Sequence, residues 1–307
     1  MSRVHVCRSK EIGKEYGLSH GVCGYCKVCF ESPNTVVGYP VHGRRVNRPH
    51  IKRDNGGTHT QTVVVSVVKA GDFATVTVRR GEVSDSTTVD LRPVPLHTKT
   101  LAGIKVPGSK VQLFSKPSKM QIDRWDVIGN EAGKLKQIYC FGTTAFYSPA
   151  AQVKTCPLAT MKNCGSYCYA RQGHFGFINS LLASEVRTLW LHHHLEAGNL
   201  EYLTQEFSKA VSRVTLDRGI PYFRWHPAGD IMSPVHARLL VDIHRRLWES
   251  KFFPMGWLPS HSVFDPLIGE ELKDSYRYGL VVRPSLDIVE EVPERLEGFA
   301  AYSMVVQ

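Results

Sequence analysis

The stretch TCPLATMKNCGSYCYARQGHF, residues 155–175, puts Cys156, Cys164 and Cys168 in one short loop ahead of a long amphipathic run. Thiols spaced C-x7-C-x3-C suit a metal better than a disulfide framework. Three sulfur ligands leave a fourth coordination position open, and an open position is where a bound metal does chemistry. A structural zinc would want a fourth protein ligand, whereas an iron–sulfur cluster on three thiolates keeps one iron for a substrate or cofactor. Three unconnected core cysteines are the plain alternative.

Outward from this loop, the chain from residue 110 alternates strand and helix. Lys136–Phe141 reads as a strand leading towards the cysteines. Phe177–Glu196 carries Ile178, Leu181, Leu182, Val186, Leu189 and Trp190 at helical spacing, and a second helix covers 201–217. Tyr222–His226 reads as a strand ending in Pro227-Ala228-Gly229-Asp230. Pro234 suits the first turn of a helix running to Trp248. Phe252–Leu258, Gly279–Val282 and Phe299–Val306 read as further strands. Such alternation implies an α/β fold with a parallel sheet and helical crossovers. A TIM-like β/α barrel, complete or incomplete, is the first expectation and a doubly wound sheet the second.

Upstream, Val63–Val68, Phe73–Arg79 and Thr87–Val94 are rich in β-branched residues and punctuated by Ala70-Gly71-Asp72 and Arg80-Gly81, which predicts a small β meander. Prolines 93, 95 and 107 with Gly103 and Gly108 mark a linker over 93–109. The expected organisation is a Cys-rich metal-binding segment at 1–54, the β-rich insertion with its linker at 55–109, and the barrel at 110–307. In the first segment Cys7, Cys23, Cys26 and Cys29 supply four thiols, enough for a closed zinc site or a closed cubane. Arg44, Arg45, Arg48, Lys52 and Arg53 form a basic run suited to phosphates, with an ordinary charged loop as the alternative. Cys140 stands alone in QIYCFGTTAF and reads as a buried small apolar residue.

The 307 residues are 42% hydrophobic and 21% charged, which supports a large buried core and one or two domains. A formal charge of +10 favours a polyanionic partner, and nucleic acid is the usual one. No apolar stretch approaches the ~18 residues that span a bilayer, so no membrane partner is expected. The first residues lack the apolar core of a secretory signal. The expectation is a cytoplasmic protein of a bacterium or infected host cell, where thiols stay reduced and eight cysteines point to metal or catalysis.

The stretch TCP…C…CYA…GHF, with FRWHPAGDIMS at 223–233, LVVRPSLD at 280–287 and SKPSKMQ at 115–121, resembles the gene product 88 family of mycobacteriophages. The likeness covers roughly residues 110–307. That family's later segment, a cysteine after a strand, a C-x2-C-x2-C run and an His-Gly-basic stretch, is similar to VHVCRSK, VCGYCKVCF and GYPVHGRRVNR at the start of this chain. The resemblance implies a circular permutation, with residues 1–45 packing on the C-terminal half.

The order of parts also resembles a radical-SAM barrel. There a three-cysteine loop binds a [4Fe–4S] cluster, whose open iron takes S-adenosylmethionine, and a Gly-Gly-Glu-like loop after the next strand holds the ammonium. The resemblance assigns Gly229 and Asp230 to that loop; the chain departs from the superfamily spacing C-x3-C-x2-C. Arg224 and His226, two apart on one strand, should share a face towards the barrel interior, and Arg283 and Ser285 should repeat that geometry. Arg224 and Arg283 are cofactor-binding candidates and His226 a catalytic one, with a structural role as the alternative for each. The rival resemblance is to zinc-containing, deazaguanine-inserting DNA transglycosylases, in which Asp230 and Asp287 would attack the sugar carbon and recognise the base. A non-enzymatic, metal-stapled nucleic-acid binder is the third reading. His192, His193 and His194, neighbours on a helix, point different ways and read as a solvated or partly packed face.

Overall fold

A computed structural model describes residues 38–40, 62–96, 103–115, 138–159, 168, 170, 173–218, 222–286 and 303–304. The chain is mixed α/β. Gly38–Pro40 (β1) pairs antiparallel with the first strand of a meander formed by Thr62–Ala70 (β2), Phe73–Arg80 (β3) and Val83–Asp90 (β4). The valines at 63, 65, 76 and 78 put one face of this sheet into the core. The third strand begins at Val83 rather than Thr87 because the two-residue turn Gly81-Glu82 locks Arg80 opposite Val83, and register then runs on residue by residue. It stops at Asp90, whose carboxylate accepts from the Arg92 backbone N–H (3.0 Å) and guanidinium (2.7 Å) and turns the chain away. The start of the expected linker is packed down: Leu96 N–H donates to Glu206 at 2.6 Å and Tyr202 Oη donates to the Val94 carbonyl at 2.7 Å.

The second sheet comprises Tyr139–Phe141 (β5), Tyr222–Trp225 (β8), Met255–Ser260 (β9), Leu280–Leu286 (β10) and Ser303–Met304 (β11), in the order β11-β10-β9-β8-β5, every neighbouring pair parallel. A short hairpin, Tyr147–Ser148 (β6) and Val153–Lys154 (β7), follows β5. Among the described residues the helices are Ile178–Glu196 (α1), Leu200–Arg218 (α2), Pro234–Glu249 (α3) and Pro266–Leu272 (α4). The last two start alike. Ser233 accepts from the His236 N–H and Asp265 from the Leu267 and Ile268 N–H groups, and each cap is followed by a proline at the first helical position. None of the described helices is long and apolar enough to cross a membrane. Strand order follows chain order without reversal, so the described sheet lacks the switch point of a doubly wound fold. The described strands do not close into a barrel.

One sheet face is packed by α2 and α3. Phe141 and Trp225 meet Phe207 of α2, and Phe223 packs on Trp225, in an aromatic cluster with ring centroids 4.7–6.1 Å apart. Trp225 Nε1 donates to His244 Nε2 of α3 at 3.0 Å. Gly256, in the next strand, makes room for that histidine: a Cβ there would lie 2.3 Å from His244 Nε2. Gly256→Ala should therefore push the ring off its indole partner and cost about 2–4 kcal/mol. Urea unfolding measures it, and an unchanged midpoint would contradict the packing described. On the opposite face Cys140, Arg224 and Trp257 lie side by side across β5, β8 and β9. Met255 (45% exposed) and Trp257 (37% exposed) leave this face open beyond Cys140, whereas parallel sheets are ordinarily covered on both sides.

Candidate functional site

The loop that leads from β5 to the cysteines is hung on α1 by buried polar side chains. Thr144 N–H donates to Thr188 Oγ1 at 2.8 Å, and Glu185 accepts from Ser148 Oγ (2.6 Å) and Ala150 N–H (3.2 Å). Two bonds join the same loop to the one after β8: Thr143 N–H to the Ala228 carbonyl (3.1 Å) and Asp230 N–H to the Thr155 carbonyl (3.0 Å). Cys156 and Asp230 are thus brought to one place, at the carboxyl ends of β5 and β8, although 73 residues lie between them in the chain.

Phe146 N–H donates to Cys156 Sγ at 3.3 Å, and Phe146 takes the left-handed φ of 71°. A bulky residue there is strained, and strain of this kind gathers at functional sites. Cys168 packs beside Ala145, Ala170 and Ala228. Both described cysteines of the motif therefore converge on Ala145–Phe146, against the 227–230 loop. Cys164 lies outside the described residues, as do Cys7, Cys23, Cys26, Cys29, Arg44, Arg45, Arg48, Lys52, Arg53 and Asp287. Among the described residues no three His, Cys, Asp or Glu side chains gather as a metal-holding group. Backbone N–H donation to sulfur is what stabilises a thiolate ligand, so the Cys156 environment fits a metal-bound sulfur.

Asp230 is buried, with all its acceptor capacity engaged. Oδ1 accepts from Ser260 Oγ (2.6 Å) and Ile231 N–H (2.8 Å); Oδ2 accepts from His261 N–H (2.9 Å) and Ser262 N–H (3.0 Å). This geometry makes Asp230 a clamp between the loops after β8 and β9. Gly229, at φ 71°, abuts the cysteine-bearing loop: a Cβ would lie 2.0 Å from Thr143 Oγ1. Both the left-handed φ and the close loop packing call for glycine there.

Arg224 and His226 do not share a face. The strand ends at Trp225, and His226 takes φ 48°, which breaks the two-residue alternation. Arg224 lies over the Trp257 ring at 4.6 Å on the open face, while His226 packs against Phe141 and, at 5.0 Å between centroids, His236 of α3. Among the described residues neither ring nitrogen of His226 finds a hydrogen-bond partner. Burial pulls its pKa down to about 4, against the opposing pull of the Asp230 carboxylate and the Ala228 backbone. His236, buried next to it, is held well below the usual histidine range for the same reason. Arg283 is exposed on β10, opposite Pro259 and on the same open face as Trp257. Cys140 is a buried apolar residue as expected, its thiol pushed up to about 11 by burial. Of the three adjacent histidines, His192 and His193 are half-buried and His194 is fully buried against Trp190 and Tyr202.

Phe146, Thr188, Glu185 and Ser260 carry much of this architecture without any local sequence signal, because their partners are distant in the chain. A comparison with protein families bears on the same region. Residues 120–254, which hold the three-cysteine stretch and the Asp230 loop, match the model of one family, Gene product 88. This part of the chain is similar to the Gene product 88 family. The Gene product 88 region takes in β5, the cysteine loop, β8 and helices α1 to α3. The meander before it and the strands β9 to β11 lie wholly beyond the match. No curated protein and no solved structure matches the chain.

Proposed function

We propose that this protein is a phage-type, radical-SAM-like iron–sulfur enzyme acting on a nucleic acid or a nucleobase-derived substrate. The observation that carries the reading is the meeting of the cysteine loop with the Asp230 loop at the carboxyl ends of parallel strands, where α/β folds put their chemistry. The unreversed strand order supports an incomplete TIM-like barrel, whose inner side would be the open face bearing Arg224, Trp257 and Arg283. Cys156, Cys164 and Cys168 would hold a [4Fe–4S] cluster. With S-adenosylmethionine bound, that group supplies radical chemistry to the substrate.

The chain's own residues have separate tasks. The Phe146 N–H steadies the Cys156 sulfur, and Asp230 positions the loop carrying Ser260 and His261 against the cysteine loop. His226 is held neutral beside this junction, a hydrogen-bond partner that adds no positive charge. Arg224 over the Trp257 ring, with Arg283 on the same face, offers cations beside an aromatic plane, which suits the phosphate and base of a nucleotide. The basic sequence suits the same partner. The reading keeps the protein in the cytoplasm, where thiolates stay reduced.

Calorimetric titration of anaerobically reconstituted protein with S-adenosylmethionine tests this. Saturable binding that disappears in Cys164→Ser is expected. Equal binding by that variant, or none by the reconstituted wild type, would overturn the assignment, and base exchange on duplex DNA by a colourless zinc protein would favour the transglycosylase-like alternative.

A further inference from the structure

Away from the cysteine loop, a cleft of about 590 Å³ opens between the 103–115 segment, β5 and α1. That volume lies in the range of small-molecule sites. Ile104, Val111, Phe114, Leu182, Ala183 and Val214 give it apolar walls. Arg187 of α1 also lines it, only 6% exposed. Its Nε donates to the Gln112 carbonyl at 2.9 Å. Among the described residues, its Nη1 and Nη2 atoms meet no acceptor and no carboxylate. Among the described residues Asp85 is the one carboxylate lining the cleft, and it is paired with Lys110. Cys140 beside Arg187 supplies no negative charge, because burial keeps its thiol protonated. Burial lowers the guanidinium to about 10, so it is still charged at neutral pH. An unpaired buried cation is costly, and removing a partner from such a group ordinarily costs several kcal/mol.

We propose that the cleft is a binding site for an anionic amphiphile, whose carboxylate or phosphate-monoester head pairs with the Arg187 fork and whose apolar body lies against the walls. The fork suits either head group, since both accept two parallel N–H bonds. The site is separate from the cysteine loop and does not depend on any metal.

Isothermal titration of the full chain with octanoate, octyl phosphate and octanol, each below its aggregation concentration, tests the proposal. One anion or both should bind saturably at one per chain, at least about tenfold tighter than octanol, the ratio a charge-assisted hydrogen bond carries. The tighter of the two identifies the head group. Arg187→Met, which exchanges a buried charge for a similar apolar volume, should abolish the gap between anion and alcohol. Ala183→Phe, which fills the cleft and leaves Arg187 in place, should block all three. Octanol binding as tightly as the anions, unchanged anion affinity in either variant, or no saturable binding would overturn it.

Discussion

Asp230→Ala should cost about 4 kcal/mol or more of folding stability, a large share of the roughly 5–15 kcal/mol that holds a domain together. The carboxylate is buried, and four donors point at it: the Ser260 hydroxyl and the backbone N–H groups of Ile231, His261 and Ser262. Each buried donor stripped of its acceptor costs about 1–3 kcal/mol. Asp230→Asn should be nearly as damaging, since one amide edge would turn N–H against N–H or hydroxyl. Urea unfolding measures both. A variant with the wild-type midpoint would remove the clamp and return Asp230 to the role of a ligand-contacting carboxylate.

Acid should unfold the protein steeply. Burial holds His194 and His226 at about 4 and His244 at about 3 in the folded chain, with His236 depressed as well. In the unfolded chain a histidine titrates near ~6.5. Folded-state values below unfolded ones mean that the unfolded chain binds more protons, so the stabilisation is fully present above pH ~6.5 and is lost as pH falls towards 4. Each such histidine changes stability by about 1.4 kcal/mol per pH unit inside that window. Three or four together should bring cooperative unfolding between about pH 6 and pH 4.5, with uptake of about three protons. Thermal melts across pH 7.5–4.5 check this. A stability that is flat from pH 7 to pH 5 would mean that these rings are not held neutral in the fold.

Helices α1, α2 and α3 are legible in the sequence because their apolar residues recur over four turns or more and Pro234 marks a start. Helix α4 is not, since the seven residues PLIGEEL are too short for a period to emerge. Strand β4 is shifted from its expected place because a hairpin turn, and not composition, sets where it begins. The candidate site is legible in its cysteines and in the Gly-Asp loop. What those residues do is not. Three of the four donors on Asp230 are backbone N–H groups, which any residue carries, and two of these lie more than 30 positions away. The pairing of Arg224 with His226 fails on a single left-handed residue, which strand alternation cannot anticipate. Arg187 reads as an ordinary helix charge, and only the packed structure reveals its burial.

The central claim is that Cys156, Cys164 and Cys168 together hold an iron–sulfur centre. Counting iron and zinc in anaerobically purified protein, beside its Cys156→Ser variant, tests it most directly. Brown protein with about four to eight irons per chain, and about four fewer in the variant, is the expected result. Wild type and variant with the same iron content, or colourless protein carrying only zinc, would contradict it.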